Sequence, residues 1–230
     1  MEHPDQLLAE NISNENEIIV DDFRAFVNKE EFPCVAAKAS LDKNQIKFFV
    51  ADHMACPKDD QSILSFLYNF IDQYRLSETQ FHSACVIFKN PFPVNEEMFD
   101  RLLWMRLQAL SDLDALKYDH DKRVSSDPSS PEFSFSLKEE AFYVIGMSPA
   151  SSRDARHFKY PTLVFNAHAQ FEQLRSLNRY EKIKNIVRKK EMEISGSINP
   201  MLEDFGKSSE VHQYSGMQHD SSWKCPLNFT

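Results

Sequence analysis

The stretch 142–175, FYVIGMSPASSRDARHFKYPTLVFNAHAQFEQLR, constrains the fold more than any other part of the chain. Its two short apolar runs, at 141–146 and 162–166, read as strands, the first of them central. Between them lies a turn and a polar segment carrying Arg153, Arg156 and His157. Behind them, Phe171, Leu174 and Leu177 predict the inward face of a helix that begins near 167–169. Strand, turn, strand and helix in 34 residues demand a sheet with helices packed on it.

The remaining segments supply that sheet and those helices. Residues 1–17 are polar and acidic and are expected to fray. An amphipathic segment follows at 18–29, and 34–40 reads as a short strand after Pro33, paired with a strand at 45–51 across a turn at 41–44. Residues 61–75 repeat apolar side chains at helix period, and 82–89 (HSACVIFK) reads as a buried strand closed by Pro91 and Pro93. The clearest helix begins after Asn95, an N-cap candidate. Glu96 and Glu97 suit its positive first turn, and Phe99, Leu102, Leu103, Leu107 and Leu110 form one stripe. Residues 117–132 lack periodicity and read as a long loop, 133–136 as a strand, and 180–194 as a helix whose Lys182, Lys184, Arg188, Lys189 and Lys190 form a wet face. From 195 on, no period holds. The expected fold is α+β: a single domain over 18–230, with a mixed β-sheet flanked by helices and an extended C-terminal tail that wraps it.

Charge and glycine spacing remove whole classes of function. Residues 1–140 hold 14 Lys/Arg against 26 Asp/Glu, whereas 141–230 hold 12 against 9. That acidic excess argues against a partner bound through its phosphates, so no nucleic acid is expected. The four Gly stand at 146, 196, 206 and 216, too far apart for a dinucleotide fingerprint or a phosphate loop. The four Cys (34, 56, 85, 225) include no short pair of zinc or redox type. No run approaches the length of a membrane span and no leader pattern opens the chain, so a cytoplasmic protein with reduced thiols and no membrane partner is expected. Nineteen Phe suit either an aromatic core or the walls around a flat cofactor.

Several side chains are candidates for chemistry. His168 follows a strand and opens a helix, a position at which a ring nitrogen reaches a cavity or simply packs. His157 lies eleven residues earlier, which is no recognised metal spacing, and His212 and His219 lie in the tail without ligand neighbours. Cys34 after Pro33 and Cys225 before Pro226 are either thiolate ligands or buried thiols, whereas Cys56 and Cys85 read as packing. Arg153 and Arg156 are spaced to fork a carboxylate or to form surface ion pairs. Glu210, Gln213 and Tyr214 cluster in the tail.

The blocks FPCVAAKASL (32–41), LLWMRLQALSDLD (102–114), DPSSPEFSFS (127–136), VIGMSPASSRDARHF (144–158), LVFNAHAQFEQLR (163–175), SGSINPML (195–202), SEVHQYSG (209–216) and WKCP (223–226), in this order, resemble the YqcI/YcgG family over about residues 20–227. The resemblance implies a haem-dependent oxygenase, a monooxygenase that N-hydroxylates a guanidino or amino nitrogen of a small cationic, arginine-like metabolite. It implies haem b, and so iron, with an electron donor that the sequence does not identify. The family's Phe-Asn-Pro-His block falls at 165–168. His168 is therefore the expected axial ligand and Asn166 its neighbour in the haem site, with Cys34 as the other ligand candidate. Arg153 and Arg156 would meet the propionates, Glu172 or Glu210 would hold the guanidinium, and Tyr214 would complete the catalytic group. The acidic loop 117–127 would receive the cation. Two positions depart from the family pattern: Ser148 stands where a His usually precedes Pro149, and Ala167 replaces the usual Pro. Ser148 supports the alternative of a non-catalytic relative that binds haem or another small molecule. A third reading is a mononuclear metal hydrolase built on His157, His168 and nearby carboxylates.

Overall fold

The computed structural model describes residues 4–79, 81–197 and 205–229. Helix α1 (Pro4–Asn28) buries Ile19, Phe23, Phe26 and Val27, the spacing of one helical face. Of the segment 1–17, expected to fray, residues 4–17 are described and lie in this helix, and 1–3 lie outside the described residues. The helix runs unbroken from Pro4, and Lys89 Nζ meets Glu15 Oε2 at 2.6 Å. The segment expected as a strand at 34–40 is instead helix α2 (Val35–Asp42). Three of its eight residues are Ala, the strongest helix former (Ala36, Ala37, Ala39), and Cys34 caps it, its Sγ accepting from Ala37 N at 3.4 Å.

Strand β1 (Ile46–His53), helix α3 (Asp60–Arg75) and strand β2 (Ser83–Asn90) form a crossover unit in which β1 and β2 are parallel. Helix α4 (Glu96–Asp114) follows. Asn95 Oδ1 accepts from Met98 N at 2.9 Å, and Phe99, Leu103, Leu107 and Leu110 are buried as their spacing predicts. Strands β3 (Phe135–Leu137) and β4 (Glu140–Met147) form a hairpin. Its two turn residues, Lys138 and Glu139, both have positive φ (50° and 56°), as a two-residue turn between twisted strands requires. Strand β5 (Thr162–Ala167) lies antiparallel to both β2 and β4, giving the order β1-β2-β5-β4-β3. Helix α5 (His168–Ser176) continues directly from β5, followed by α6 (Tyr180–Ser195) and the short α7 (Val211–Tyr214).

The sheet separates two apolar clusters. Val86, Phe88, Val144, Leu163 and Phe165 face α3 and α4. Cys85, Ile87, Val164 and Met147 face α1 on the opposite side. The tail packs back on the domain: Gly206 N donates to Pro131 O at 3.0 Å, Ser209 Oγ to Pro128 O at 2.7 Å, and Asn228 N to Gln108 Oε1 at 2.8 Å. The protein is thus one α+β domain with a five-stranded mixed sheet flanked by helices. Most of the block 195–202 lies outside the described residues. Among the described residues, no helix is long and apolar enough to cross a membrane.

Candidate functional site

On the α1 side of the sheet, α1, α2, α5, α6 and the returning tail enclose a cavity of about 270 Å³. Its polar floor is a register row. Ser83 on β2 and Tyr143 on β4 both pair with Asn166 on β5. Period-two alternation brings all three side chains to the same face. Ser83 Oγ donates to Asn166 Oδ1 at 2.7 Å, Asn166 Nδ2 to Tyr143 O at 3.3 Å, and the Tyr143 hydroxyl to Gln213 Oε1. Beside this row the floor is apolar, with Val164, Ile145 and Met147, and Phe23, Val27, Phe32 and Phe171 wall it.

His168 borders this cavity at the strand-to-helix junction, 8 % exposed. Its Nε2 is buried with no hydrogen-bond partner, a costly state for a polar atom. Glu172 Oε1 lies 4.0 Å from that nitrogen, a pairing that would need a protonated ring. Burial lowers the His168 pKa, so the ring is held neutral, the form that ligates metals. Phe205 packs on the ring at 4.4 Å between centroids. Gln170, also lining the cavity, donates through Nε2 to His82 O at 3.2 Å and leaves its buried Oε1 without a partner. His168, Arg175 and Phe205 also line a second, more open space of about 480 Å³, bordered by Arg123 and Glu172.

The tail contributes Glu210, a fully enclosed carboxyl lining the cavity. Its Oε1 accepts from Ser134 Oγ at 2.8 Å and from the Tyr214 hydroxyl. The Tyr214 oxygen in turn accepts from Phe135 N at 3.1 Å. Burial outweighs these bonds and pushes the Glu210 pKa up to about 8, and it raises the Tyr214 pKa as well. Cys34 is half-buried and lines the cavity, but its Sγ is engaged as the α2 cap, and burial pushes its pKa up, so it is a thiol and not a thiolate.

The paired arginines are not at the cavity. Arg153 Nη1 meets Glu191 Oε1 at 3.0 Å. Arg156 is buried, donates through Nη1 to Tyr214 O at 3.0 Å and to Gly146 O at 3.4 Å, and lies against Gly216, where a Cβ would come within 2.8 Å of its Cδ. It braces the tail against β4, its donors directed to carbonyls that are distant in sequence. Among the described residues, the cations that do line the cavity are Arg175, Lys184 and Arg188. Lys184 and Arg188 lie on the stretch read as a wet face. The signal for them is the i, i+4, i+8 spacing of Tyr180, Lys184 and Arg188, which places them beside the apolar stripe of α6. Glu172 is half-exposed and paired with Arg175, whose guanidinium also lies 4.4 Å from the Tyr180 ring centroid. Tyr143, Ser83 and Gln170 were likewise not selected from the sequence. Ser148 is buried away from the cavity, its Oγ accepting from Ala150 N at 3.0 Å in the turn after β4. Among the described residues no three of His, Cys, Asp and Glu gather to hold a metal ion.

These features define an α+β domain with a ligand-sized cavity between a mixed sheet and a helical layer, bordered by a neutral histidine and a buried carboxyl. The family profile of the YqcI/YcgG family matches residues 23–228, and the chain belongs to that family. Neither a search of curated proteins nor one of solved structures returned a significant match.

Proposed function

We propose that this cavity binds haem and that the protein is a haem-dependent oxygenase acting on a guanidino or amino nitrogen of a small cationic metabolite. The observation that carries the reading is the buried, neutral, unpartnered Nε2 of His168 at the cavity wall. A haem iron needs only one such protein ligand, whereas a bare mononuclear ion needs several, and no group of three ligands gathers among the described residues. The aromatic and aliphatic walls suit a flat apolar ring. Arg175, Lys184 and Arg188 are the cations within reach of its carboxylates, in place of Arg153 and Arg156. Bound there, haem would supply O₂ activation.

The protein's own residues handle the cation and its protons. At neutral pH Glu210 carries its proton, because burial makes the carboxylate costly. A guanidinium brought beside it reverses that balance, so binding drives the proton off and leaves a bidentate acceptor held in place by Ser134 and Tyr214. Substrate binding is therefore coupled to proton release. The Ser83–Asn166–Tyr143–Gln213 row fixes the floor without adding charge, which keeps Glu210, among the described residues, the one carboxyl that a cation meets inside the cavity. The tail seats both Glu210 and Gln213, so its docking completes the site.

Haem titration of the purified protein tests this reading. A Soret band that saturates at one haem per chain is expected, lost in His168→Ala and kept in Cys34→Ala. A band equally strong in His168→Ala overturns the ligand assignment, and no band in the unmodified protein overturns the haem reading.

A further inference from the structure

Both tryptophans of the chain stand in one line of rings that ends at the cavity. Trp223, half-buried in the tail, has its ring centroid 5.7 Å from that of Trp104 on α4. Trp104, 3 % exposed, stacks on Tyr214 at 5.8 Å, and Tyr214 meets Tyr143 edge-on at 6.1 Å. Tyr143 lines the cavity. Phe is the commonest aromatic of this chain, yet no link in this line is Phe. Packing needs only the ring, and an indole or phenol adds a polar atom that must be satisfied on burial. Here each of the two most buried members has a carboxyl at its acidic proton. Trp104 Nε1 donates to Asp100 Oδ1 at 2.9 Å, and the Tyr214 hydroxyl donates to Glu210. Asp100 Oδ1 also lies 3.3 Å from Nε2 of His219, whose ring stacks on Trp223 at 3.9 Å. Burying two carboxyls against a ring line is costly if the line only fills space.

We propose that Trp223, Trp104, Tyr214 and Tyr143 form a path along which a one-electron oxidising equivalent moves between the cavity and the protein surface. Indole and phenol lose one electron readily when a base takes the accompanying proton, and they are hard to reduce. The path therefore conducts oxidising equivalents and does not deliver low-potential electrons. Its use as an outlet for a strong oxidant generated in the cavity rests on the haem reading above; the path itself does not.

The haem-free protein tests it. Azide radical, generated by pulse radiolysis, takes one electron from the accessible indole of Trp223 and becomes azide anion, while the indole N–H proton goes to solvent. The resulting indolyl radical regains one electron, through Trp104, from Tyr214 and takes a proton from solvent. The Tyr214 phenolic proton passes to ionised Glu210, leaving a tyrosyl radical. Tyr143, which lines the cavity, then gives that radical one electron and releases its own phenolic proton to water in the cavity, while Glu210 returns its proton to Tyr214. In buffer alkaline enough to ionise Glu210, the indolyl absorbance should convert into tyrosyl absorbance at a first-order rate independent of protein concentration. That phase should be lost in Trp104→Phe and in Tyr214→Phe, and kept in Tyr118→Phe and Tyr160→Phe. Trp223→Phe, at a less buried position, should lower the prompt indolyl yield, which guards against a folding defect in the other two; circular dichroism checks all variants. Conversion unchanged in Tyr214→Phe, or abolished by Tyr118→Phe or Tyr160→Phe, overturns the path. Because no haem is present, neither outcome bears on the Soret test.

Discussion

Glu210→Gln should make the protein more stable, and increasingly so as pH rises. In the unfolded chain this carboxyl titrates near its ordinary 4.5, and in the folded protein burial holds it at about 8. Between those values the folded state keeps a proton that the unfolded state has lost. The unfolded state binds fewer protons there, so stability falls with pH, by about 1.4 kcal/mol per unit. Across the window this comes to about 5 kcal/mol, an upper limit because any water or local opening that reaches Glu210 lowers its pKa. Gln keeps the Oε1 acceptor used by Ser134 and Tyr214 and has no charge to desolvate. The two proteins should therefore be similar in stability at pH 4.5 and diverge up to pH 8, where the difference levels off. Urea unfolding followed by tryptophan fluorescence at a series of pH values measures the difference directly, and comparing the two chains cancels every other titrating group. A difference that changes by less than about 1 kcal/mol between pH 5 and pH 8.5 would refute the assignment of a protonated, enclosed Glu210.

Two further substitutions probe the scaffold beneath the site. Asn95→Ala removes the acceptor for Met98 N and should cost about 1 kcal/mol in urea unfolding, whereas Asn95→Gly should recover all but a few tenths of it. An equal loss in both would show that the cap bond is not what holds the start of α4. Gly146→Ala would place a Cβ 2.7 Å from Leu103 Cδ1, 2.8 Å from Phe99 Cε1 and 2.9 Å from the Tyr214 carbonyl oxygen. The last of these is backbone, which cannot swing aside, so a loss of about 3 kcal/mol is expected in thermal or urea unfolding. An unchanged midpoint would mean that the tail does not dock on β4 as described.

Residues near in sequence announced most of their own placement; residues brought together by register did not. His168 was legible because a strand and a helix meet at it, and the meeting is local. The α4 stripe and its Asn95 cap were legible for the same reason. The segment 34–40 was misread because seven mostly small residues carry no clear period, and alanine propensity with a Cys cap decides in favour of helix. The floor row was invisible for a different reason: residues 83, 143 and 166 become neighbours only through the pairing of β2, β5 and β4. Arg153 and Arg156 were placed by charge type alone, but Arg156 is committed to the carbonyls of Gly146 and Tyr214, partners no local pattern announces. Glu210 was named from the sequence, whereas its burial depends on a tail that folds back over Ser134.

The place of β5 has a consequence for biosynthesis. Among the described residues it is the last strand in sequence and the middle strand of the sheet. Until residue 167 has left the ribosome, β1–β2 and β3–β4 are two separate half-sheets, each with an apolar edge open to the wrong partner. The pocket floor lacks its central member through the same interval. Before that point both Asn166 and His168 are missing from the cavity, so its floor and its strand-to-helix corner are complete only once residue 168 has emerged.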